Sequence, residues 1–365
     1  MCSQKWLNVT FYTETFGFFL SIFFNGILFS LVYEKPKSVF GNYKYLMMAF
    51  SALGIFYSCC NFWVMPNGFK MTGSKTSFLS INALLASFQN VHITESSFIV
   101  FSVLKNEKFG KDFGPIAITI YCSCYAMMLS LLSIHFFYRY TSVTAPMWLS
   151  NRFSSKSSIF WFLFVFVYST IWGCSSYFLC KPTENKDREL LREFMKEYCM
   201  KPEEYAYVGP QYFYENFENG KFKFHWPSFL GIGILASQMS STFVLVVFFG
   251  VKTYQTLVDK TGNNCFASRE LQKQLFKTLI IQTIIPSIFM YFPVSCMFLF
   301  PIFGLKVEAM ANLIPISVSV YPCLEPLVAL IFIRDLRNRI VGEFRFFKVF
   351  RLKCIFKVKV QFSFY

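Results

Sequence analysis

Residues 16–33 read FGFFLSIFFNGILFSLVY, an apolar run that contains no charged side chain. A helix needs about 20 mostly apolar residues to cross the hydrocarbon core of a bilayer, so this run is predicted to span a membrane. It ends at Glu34-Lys-Pro-Lys37, a charged turn. Six more stretches have the same character, which predicts seven spans, at 16–33, 46–65, 113–136, 158–179, 227–251, 278–303 and 309–333.

The composition also indicates a membrane protein. Only 15% of the 365 residues are charged, against about 25% in soluble domains. The aromatic residues make up 21% of the chain, and 50 of them are Phe. Lipid can solvate that much aromatic surface, whereas a soluble core cannot bury it. We predict an all-α membrane protein with a seven-transmembrane helix bundle over residues 1–333, followed by a basic amphipathic cytoplasmic tail over 334–365.

The charged residues predict how the bundle is oriented. With the N-terminus outside and the C-terminus inside, the four inner stretches carry +2, +3, +3 and +7, which together equal the whole net charge of +15. Cytoplasmic loops are enriched in Lys and Arg, so this orientation is the expected one. Positive charge in short loops beside spans indicates attraction to membrane lipid rather than to nucleic acid. The inner stretches are 34–45, 137–157, 252–277 and 334–365.

Two outer stretches, 66–112 and 180–226, are long enough to fold over the bundle. Residues 96–104 are apolar, too few to cross as a helix, and rich in β-branched and aromatic residues, which predicts a strand or a packed lid segment. The alternative, an eighth span, would place the +7 tail outside, against the charge rule. The helical spacing of apolar residues in 187–198 predicts a short surface helix.

No pattern in the sequence is typical of an enzyme. The three histidines, His92, His135 and His225, do not pair at a metal-binding spacing with one another or with acidic residues. There is no glycine-rich phosphate loop, zinc motif or nucleophile elbow. We therefore predict no catalytic residue, no metal and no cofactor.

Glu325 is the only carboxylate within the seven predicted spans. An ionisable group at that depth is costly and is by default a functional candidate. Asn25 in span 1 lies at a similar depth. One interpretation is a polar network between spans 1 and 7 that rearranges on switching. The other is a protonated Glu325 that only joins two helices through hydrogen bonds.

Spans 6 and 7 carry six prolines between them. Each proline removes one helical hydrogen bond and tends to kink the helix. These spans are therefore predicted to bend during a conformational switch, or else to carry static kinks that only shape the bundle. The candidate switch residues are Asn25, Pro286, Pro293, Glu325 and Pro326.

The inner end of span 3 reads His135-Phe-Phe-Tyr-Arg-Tyr140. Its arginine is interpreted either as an anchor at the inner membrane boundary, within an aromatic belt, or as a contact for a cytoplasmic partner. The turn after span 7 would border the same inner cleft. The candidate coupling residues are Tyr138, Arg139, Tyr140, Arg334 and Arg337.

Two features of the outer side point to covalent modification. Asn8-Val-Thr10 is an acceptor for N-glycosylation and lies on the predicted outer side. Cys180 and Cys199 both lie in the second outer stretch. Because that compartment is oxidising, a disulfide between these two cysteines is a candidate.

Five blocks of sequence, in order and spread over nearly the whole chain, carry a family resemblance. The two most specific are 271–282 with the prolines of span 6, and Pro322-Cys-Leu-Glu-Pro326 in span 7. The other three are residues 41–48, 97–110 and 135–140. With these blocks the chain resembles the nematode serpentine chemoreceptors of the Str superfamily, of the str or srj type.

The resemblance implies a chemosensory receptor that binds a small-molecule cue and activates a heterotrimeric G protein, in the plasma membrane of sensory cilia. The family usually has Asp where this chain has Glu325, so the carboxylate is kept with one more methylene. Tyr138 precedes Arg139, so the acid-Arg-Tyr triplet of rhodopsin-like receptors is absent and no ionic lock on that acid is expected. Neither the ligand nor its contacts are predicted.

Two other classes of membrane protein are alternatives. A ligand-gated cation channel of the insect odorant-receptor kind would have its N-terminus inside, which would put the positive stretches outside. A small transporter would usually show inverted repeats and paired intramembrane charges. We expect an N-terminal tag to be accessible on cells without permeabilisation, and Asn8 to be glycosylated. An inaccessible tag would contradict the receptor topology.

Overall fold

The computed structural model describes residues 5–34, 43–63, 89–104, 107–144, 155–216, 221–261, 280–332 and 337–339. These residues form seven long helices, one surface helix and five short strands. The predicted seven-helix bundle is confirmed. Its orientation in the membrane stays a prediction from the charges.

The seven long helices follow the predicted spans. Six are long and apolar enough to cross a membrane by length and composition, while span 2 has a shorter apolar core at Met47–Cys60. Spans 1 and 3 begin earlier than predicted and continue beyond the apolar runs. The helices are Lys5–Glu34, Tyr43–Trp63, Glu107–Thr144, Ser155–Leu179, Trp226–Thr261, a helix from residue 280 to Leu299, and Leu313–Phe332.

Span 3 lies at the centre of the bundle and is the most buried of the six long apolar spans. It packs against spans 2, 4 and 5, and span 1 packs against spans 2 and 7. Span 4 approaches span 3 closely at Gly173, where a Cβ would collide with the Ser123 hydroxyl. The outward faces carry exposed aromatic side chains such as Phe160, Phe162 and Phe166 of span 4, which suits contact with lipid.

Span 6 is irregular between two of its prolines. A π-helical turn, Ser287–Tyr291, begins directly after Pro286 and is followed by Phe292-Pro293. Such turns leave backbone groups without their usual helical partners. Here the Tyr125 hydroxyl of span 3 donates to the carbonyl oxygen of Met290 at 3.1 Å. The irregular turn is therefore held by a neighbouring span.

The outer stretches fold together over the bundle. Strands β1 (Asn90–Ile93), β2 (Phe98–Val103) and β3 (Tyr205–Val208) form an antiparallel sheet in the order β1-β2-β3. A hairpin of β4 (Phe213–Asn216) and β5 (Lys221–Phe224) precedes span 5. The predicted strand within 96–104 is confirmed, and the alternative interpretation of this segment as an eighth membrane span is wrong.

The surface helix predicted over 187–198 is confirmed as Glu184–Glu197. It crosses the outer face of the sheet, and we call this helix and strands β1–β3 together the lid. Of the predicted tail, the structure describes only residues 337–339, which are helical. The remainder of 334–365 lies outside the described residues.

Candidate ligand cavity and its lid

The sheet of the lid is buried on both of its faces. In β2, Phe98 and Val100 point into the bundle core, whereas Ile99 and Phe101 pack with Phe194 of the lid helix in a second cluster. Successive side chains of a strand point to opposite faces. A strand that is covered on both sides therefore has a continuous apolar sequence. This explains why apolar and polar residues do not alternate along β2.

A lysine fastens the lid helix to the sheet. Lys186 is completely buried, and its Nζ donates to the carbonyl oxygens of Gly209 at 2.7 Å, Pro210 at 2.9 Å and Phe98 at 3.1 Å. These three bonds use every N–H of an ammonium group. Desolvation by burial lowers the pKa of Lys186 to about 7, against the opposing effect of nearby acidic groups.

An ionic latch joins the lid to the loop between spans 6 and 7. We define this latch as His92 of β1, Glu193 of the lid helix and Lys306 of the loop. The Glu193 carboxylate lies 2.9 Å from His92 Nε2 and 2.7 Å from Lys306 Nζ. Burial raises the pKa of Glu193, but the hydrogen bonds from His92 and Lys306 outweigh burial and hold it below its ordinary value.

Neutral hydrogen bonds also connect β1, the lid helix and the loop between spans 6 and 7. His92 Nδ1 lies 3.3 Å from the Tyr198 hydroxyl, which accepts from Asn312 Nδ2 at 3.3 Å just before span 7. Asn312 Oδ1 accepts from the backbone N–H of Val91 at 3.0 Å. The Glu308 N–H donates to the Ile93 carbonyl at 3.0 Å. Strand β1 is thus bonded directly to the start of span 7.

A cavity of about 70 Å³ lies directly beneath the lid. Phe98, Val100 and Val208 of the sheet form its roof, and spans 3 to 7 form its walls. The volume exceeds the roughly 10–15 Å³ that one water needs, so a small molecule of a few non-hydrogen atoms fits. The wall residues include Tyr121, Tyr125, Trp172, Cys180, Ile232, Val294, Met297 and Val318.

The cavity offers a ligand little polar chemistry. The Tyr125 hydroxyl already donates to Met290, and the roof carbonyls of Phe98 and Gly209 accept from Lys186. Small-molecule sites of this kind select mainly by shape and apolar contact, with few polar groups to fix orientation. The arrangement favours a small uncharged ligand.

Of the predicted switch residues, Asn25 does connect spans 1 and 7. Its Nδ2 lies 2.9 Å from the Pro322 carbonyl and 3.1 Å from the Ser21 hydroxyl, which accepts from Ser58 of span 2 at 2.7 Å. The Glu325 carboxylate takes different partners. Tyr321 donates to its Oε2 at 3.0 Å, and its Oε1 lies 3.9 Å from His135 Nδ1. Glu325 is therefore bonded within span 7 and faces His135 of span 3, and no hydrogen bond between Glu325 and Asn25 is found among the described residues.

The inner-face candidates lie apart from the cavity. Tyr140 packs its ring 5.4 Å from Phe249 of span 5, and Arg139 is half-buried at the inner end of span 3. Arg337 donates to the Ile331 carbonyl at 3.3 Å. Arg334 lies outside the described residues. Tyr138 is half-buried on the same turn of span 3.

The predicted disulfide between Cys180 and Cys199 is wrong. Cys199 is disulfide-bonded, whereas Cys180 is a free thiol turned towards Gly231 of span 5. The lid helix of 14 residues separates the two cysteines and extends about 21 Å at 1.5 Å per residue. A disulfide needs Cα atoms within about 7 Å. The other described cysteines are free thiols as well.

The outer end of span 1 differs from the sequence interpretation. The helix already contains Asn8, which is exposed, and Glu14, which is 4% exposed. Glu325 is therefore not the only buried carboxylate on a spanning helix. Glu14 lies close enough to Tyr121 of span 3 to interact electrostatically with it. A stripe of small and polar residues at helical spacing signals this buried face: Thr10, Glu14, Gly17, Ser21 and Asn25.

Comparison with known proteins gives consistent matches along the chain. The family model for the serpentine type 7TM GPCR chemoreceptor Str matches residues 10–88 and 80–341. Serpentine receptor class r-10 of Caenorhabditis elegans is 31% identical over 93% of this chain and 92% of its own length. The G-protein coupled receptor str-33 of the same organism is 23% identical over 88% of this chain and 87% of its own length.

A solved structure supports the fold. The crystal structure of squid rhodopsin matches with a TM-score of 0.57 and covers 93% of this chain and 86% of its own. The sequence identity is 13%, so this likeness concerns the fold alone.

Gly209 lets β3 approach β2 beneath Lys186, and we expect Gly209→Ala to destabilise the protein. An added Cβ would collide with the Phe98 carbonyl and lie 2.8 Å from Ile99 Cα. Both are backbone atoms of β2, so relief requires the sheet to shift, at a cost of about 1–3 kcal/mol. Thermal unfolding of the purified protein in lipid nanodiscs measures the loss. Gly233→Ala is the control, since nothing lies within 4 Å of its added Cβ, and equal unfolding temperatures would contradict the expectation.

The latch predicts a loss of lid stability in acid. Because the pKa of Glu193 is lower in the folded protein than its ordinary 4.5, its stabilising contribution is complete above that value. This contribution is lost as the pH falls through the lowered pKa. Hydrogen exchange of the β1 amides, followed as the pH falls, measures the loosening. In Glu193→Gln the increase in β1 hydrogen exchange that acid causes should be smaller than in the wild type. The same pH dependence of exchange in the variant and the wild type would contradict the role of the latch.

Proposed function

The chain belongs to the serpentine 7TM GPCR chemoreceptor family Str, and from this premise we propose that it binds a small-molecule chemical cue in the apolar cavity beneath the lid. This family is a receptor family and not an enzyme family. One observation carries the proposal: the cavity is roofed by a sheet whose inner residues are buried and walled by five spans. A cue inside it would contact both the lid and the bundle.

The walls of the cavity favour a small cue without charge. An ion would have to leave its hydration shell for a site lined almost wholly by apolar groups, which is costly without a paired charge. The amine of Lys186 already donates its three hydrogens to the carbonyls of Phe98, Gly209 and Pro210, which line the cavity. An uncharged cue loses little hydration free energy when it enters the cavity, and it gains apolar contact with residues such as Trp172 and Ile232.

Signal transfer to the inner side would pass through spans 6 and 7. Val294 and Met297 of span 6 and Val318 of span 7 line the cavity, so a cue contacts the spans that carry the π-helical turn and the prolines. A ligand shifts a conformational equilibrium only through different affinities for the two states. We propose that the cue favours one arrangement of these spans, with Asn25, Pro286, Pro293, Glu325 and Pro326 as the switch residues.

The inner face would receive a heterotrimeric G protein. Tyr138, Arg139 and Tyr140 at the end of span 3 and the arginines 334 and 337 after span 7 are the proposed contacts, and a helix of the partner would lie in the groove between them. The chain is a multi-pass membrane protein. We propose that it lies in the plasma membrane of the cilium of a sensory cell. We also propose that Asn8 is glycosylated.

Filling the cavity should weaken the response to the cue. Ile232 is buried in the cavity wall, and Ile232→Phe adds volume where a cue would lie. We expect at least a tenfold loss of potency, equivalent to about 1.4 kcal/mol, in cells screened with a volatile odorant panel. Leu230→Phe, two residues earlier and 60% exposed, is the matched control. A full response of Ile232→Phe at equal surface expression would place the binding site elsewhere.

Coupling should depend on Arg139 without affecting cue binding. Arg139→Ala is expected to reduce G-protein activation by the active cue several-fold, since a basic contact for the partner is removed. Binding of the cue, measured separately on membranes, should stay the same. Lys252→Ala, an exposed basic residue at the inner end of span 5, controls for general loss of positive charge. Normal activation by Arg139→Ala would show that this residue is only a membrane anchor.

A further inference from the structure

A second, smaller cavity lies deeper in the bundle, between the inner halves of the spans. Its volume is about 20 Å³, and its lining includes Asn25, His135, Gln282 and Glu325 among apolar residues. One water molecule needs about 10–15 Å³ and two to four polar partners. The cavity is therefore large enough for one water and too small for a cue.

Gln282 of span 6 lines this cavity and carries an unpaired side-chain oxygen. The residue is 7% exposed, and its Oε1 has no hydrogen-bond partner among the described residues. A buried polar atom without a partner is rare in native proteins, and an ordered water is the usual explanation. Gln282 therefore points to a bound molecule that can donate a hydrogen bond.

Glu325 of span 7 lines the same cavity, and its Oε2 accepts from Tyr321 at 3.0 Å. Its Oε1 lies 3.9 Å from His135 Nδ1 of span 3. That separation is too long for a direct hydrogen bond, and it is a spacing that a single water can bridge.

We propose that this cavity binds one ordered water molecule, which donates to Gln282 Oε1 and Glu325 Oε1 and contacts the His135 ring. The water joins spans 3, 6 and 7 at one point. The described residues contain no group of three or more His, Cys, Asp or Glu side chains placed to hold a metal ion, which favours water over a multivalent cation. This site does not depend on the identity of the cue or of the intracellular partner.

A high-resolution map of the full-length protein in lipid nanodiscs tests the proposal. We expect one density peak within about 2.5–3.5 Å of both oxygens. In Gln282→Met, which keeps the shape of the side chain but not its oxygen, the peak should be lost. In Ser51→Ala the peak should remain, because Ser51 lines the same cavity but donates to the Met47 carbonyl at 3.1 Å.

Three results would overturn the proposal. The first is a wild-type cavity without density, or one filled by a side chain or lipid, and this result needs no variant to fold. The second is a peak that persists in Gln282→Met. The third is a peak present in sodium chloride and absent in choline chloride, since a monovalent cation and not water would then occupy the site.

Discussion

The buried amino group of Lys186 joins the helix and the sheet that form the outer part of this protein. It is fully buried and donates to carbonyls on both sides of the β2–β3 pair. A buried charge is costly unless each of its hydrogens is bonded, so the lid helix has one favourable position on the sheet. That position brings the sheet down over the cavity, and it also places Glu193, two turns along the helix, opposite His92 and Lys306. The roof of the cavity and the latch thus depend on the same lysine.

The latch connects the lid to spans 6 and 7, which are the proposed switch elements of the bundle. The loop between spans 6 and 7 is bonded to the lid helix through Lys306, and the loop and the start of span 7 are bonded to β1 through Glu308 and Asn312. The same two spans contribute walls to the cavity and carry the prolines and the π-helical turn. A molecule in the cavity therefore touches spans 6 and 7 directly, and the lid holds them from above. Neither contact requires a long chain of intervening residues.

Some polar side chains within the apolar bundle donate hydrogen bonds to backbone carbonyls of neighbouring spans, where lipid offers no alternative partner. Asn25 donates to the Ser21 hydroxyl and to the Pro322 carbonyl, which lacks its usual helical donor because the residue four positions later is Pro326, without a backbone N–H. The Tyr125 hydroxyl serves the π-helical turn in the same way. At these two places a carbonyl in span 6 or 7 accepts a hydrogen bond from the side chain of a neighbouring span.

Local pattern was enough to predict the seven spans, the strand at 96–104 and the surface helix, because hydrophobic length and periodicity report directly on the environment of each segment. The family resemblance was readable for the same reason, since its blocks are short and contiguous. Tertiary structure alone decided the partners of Lys186 and Glu193, the cavity and the separation of Cys180 from Cys199. Those contacts join residues that are far apart in the chain or separated by a rigid helix, and sequence spacing contains no information about such distances. Burial of Glu14 lies between the two cases: the stripe on span 1 signals it, but only the observed start of that helix at Lys5 places the carboxylate inside the bundle.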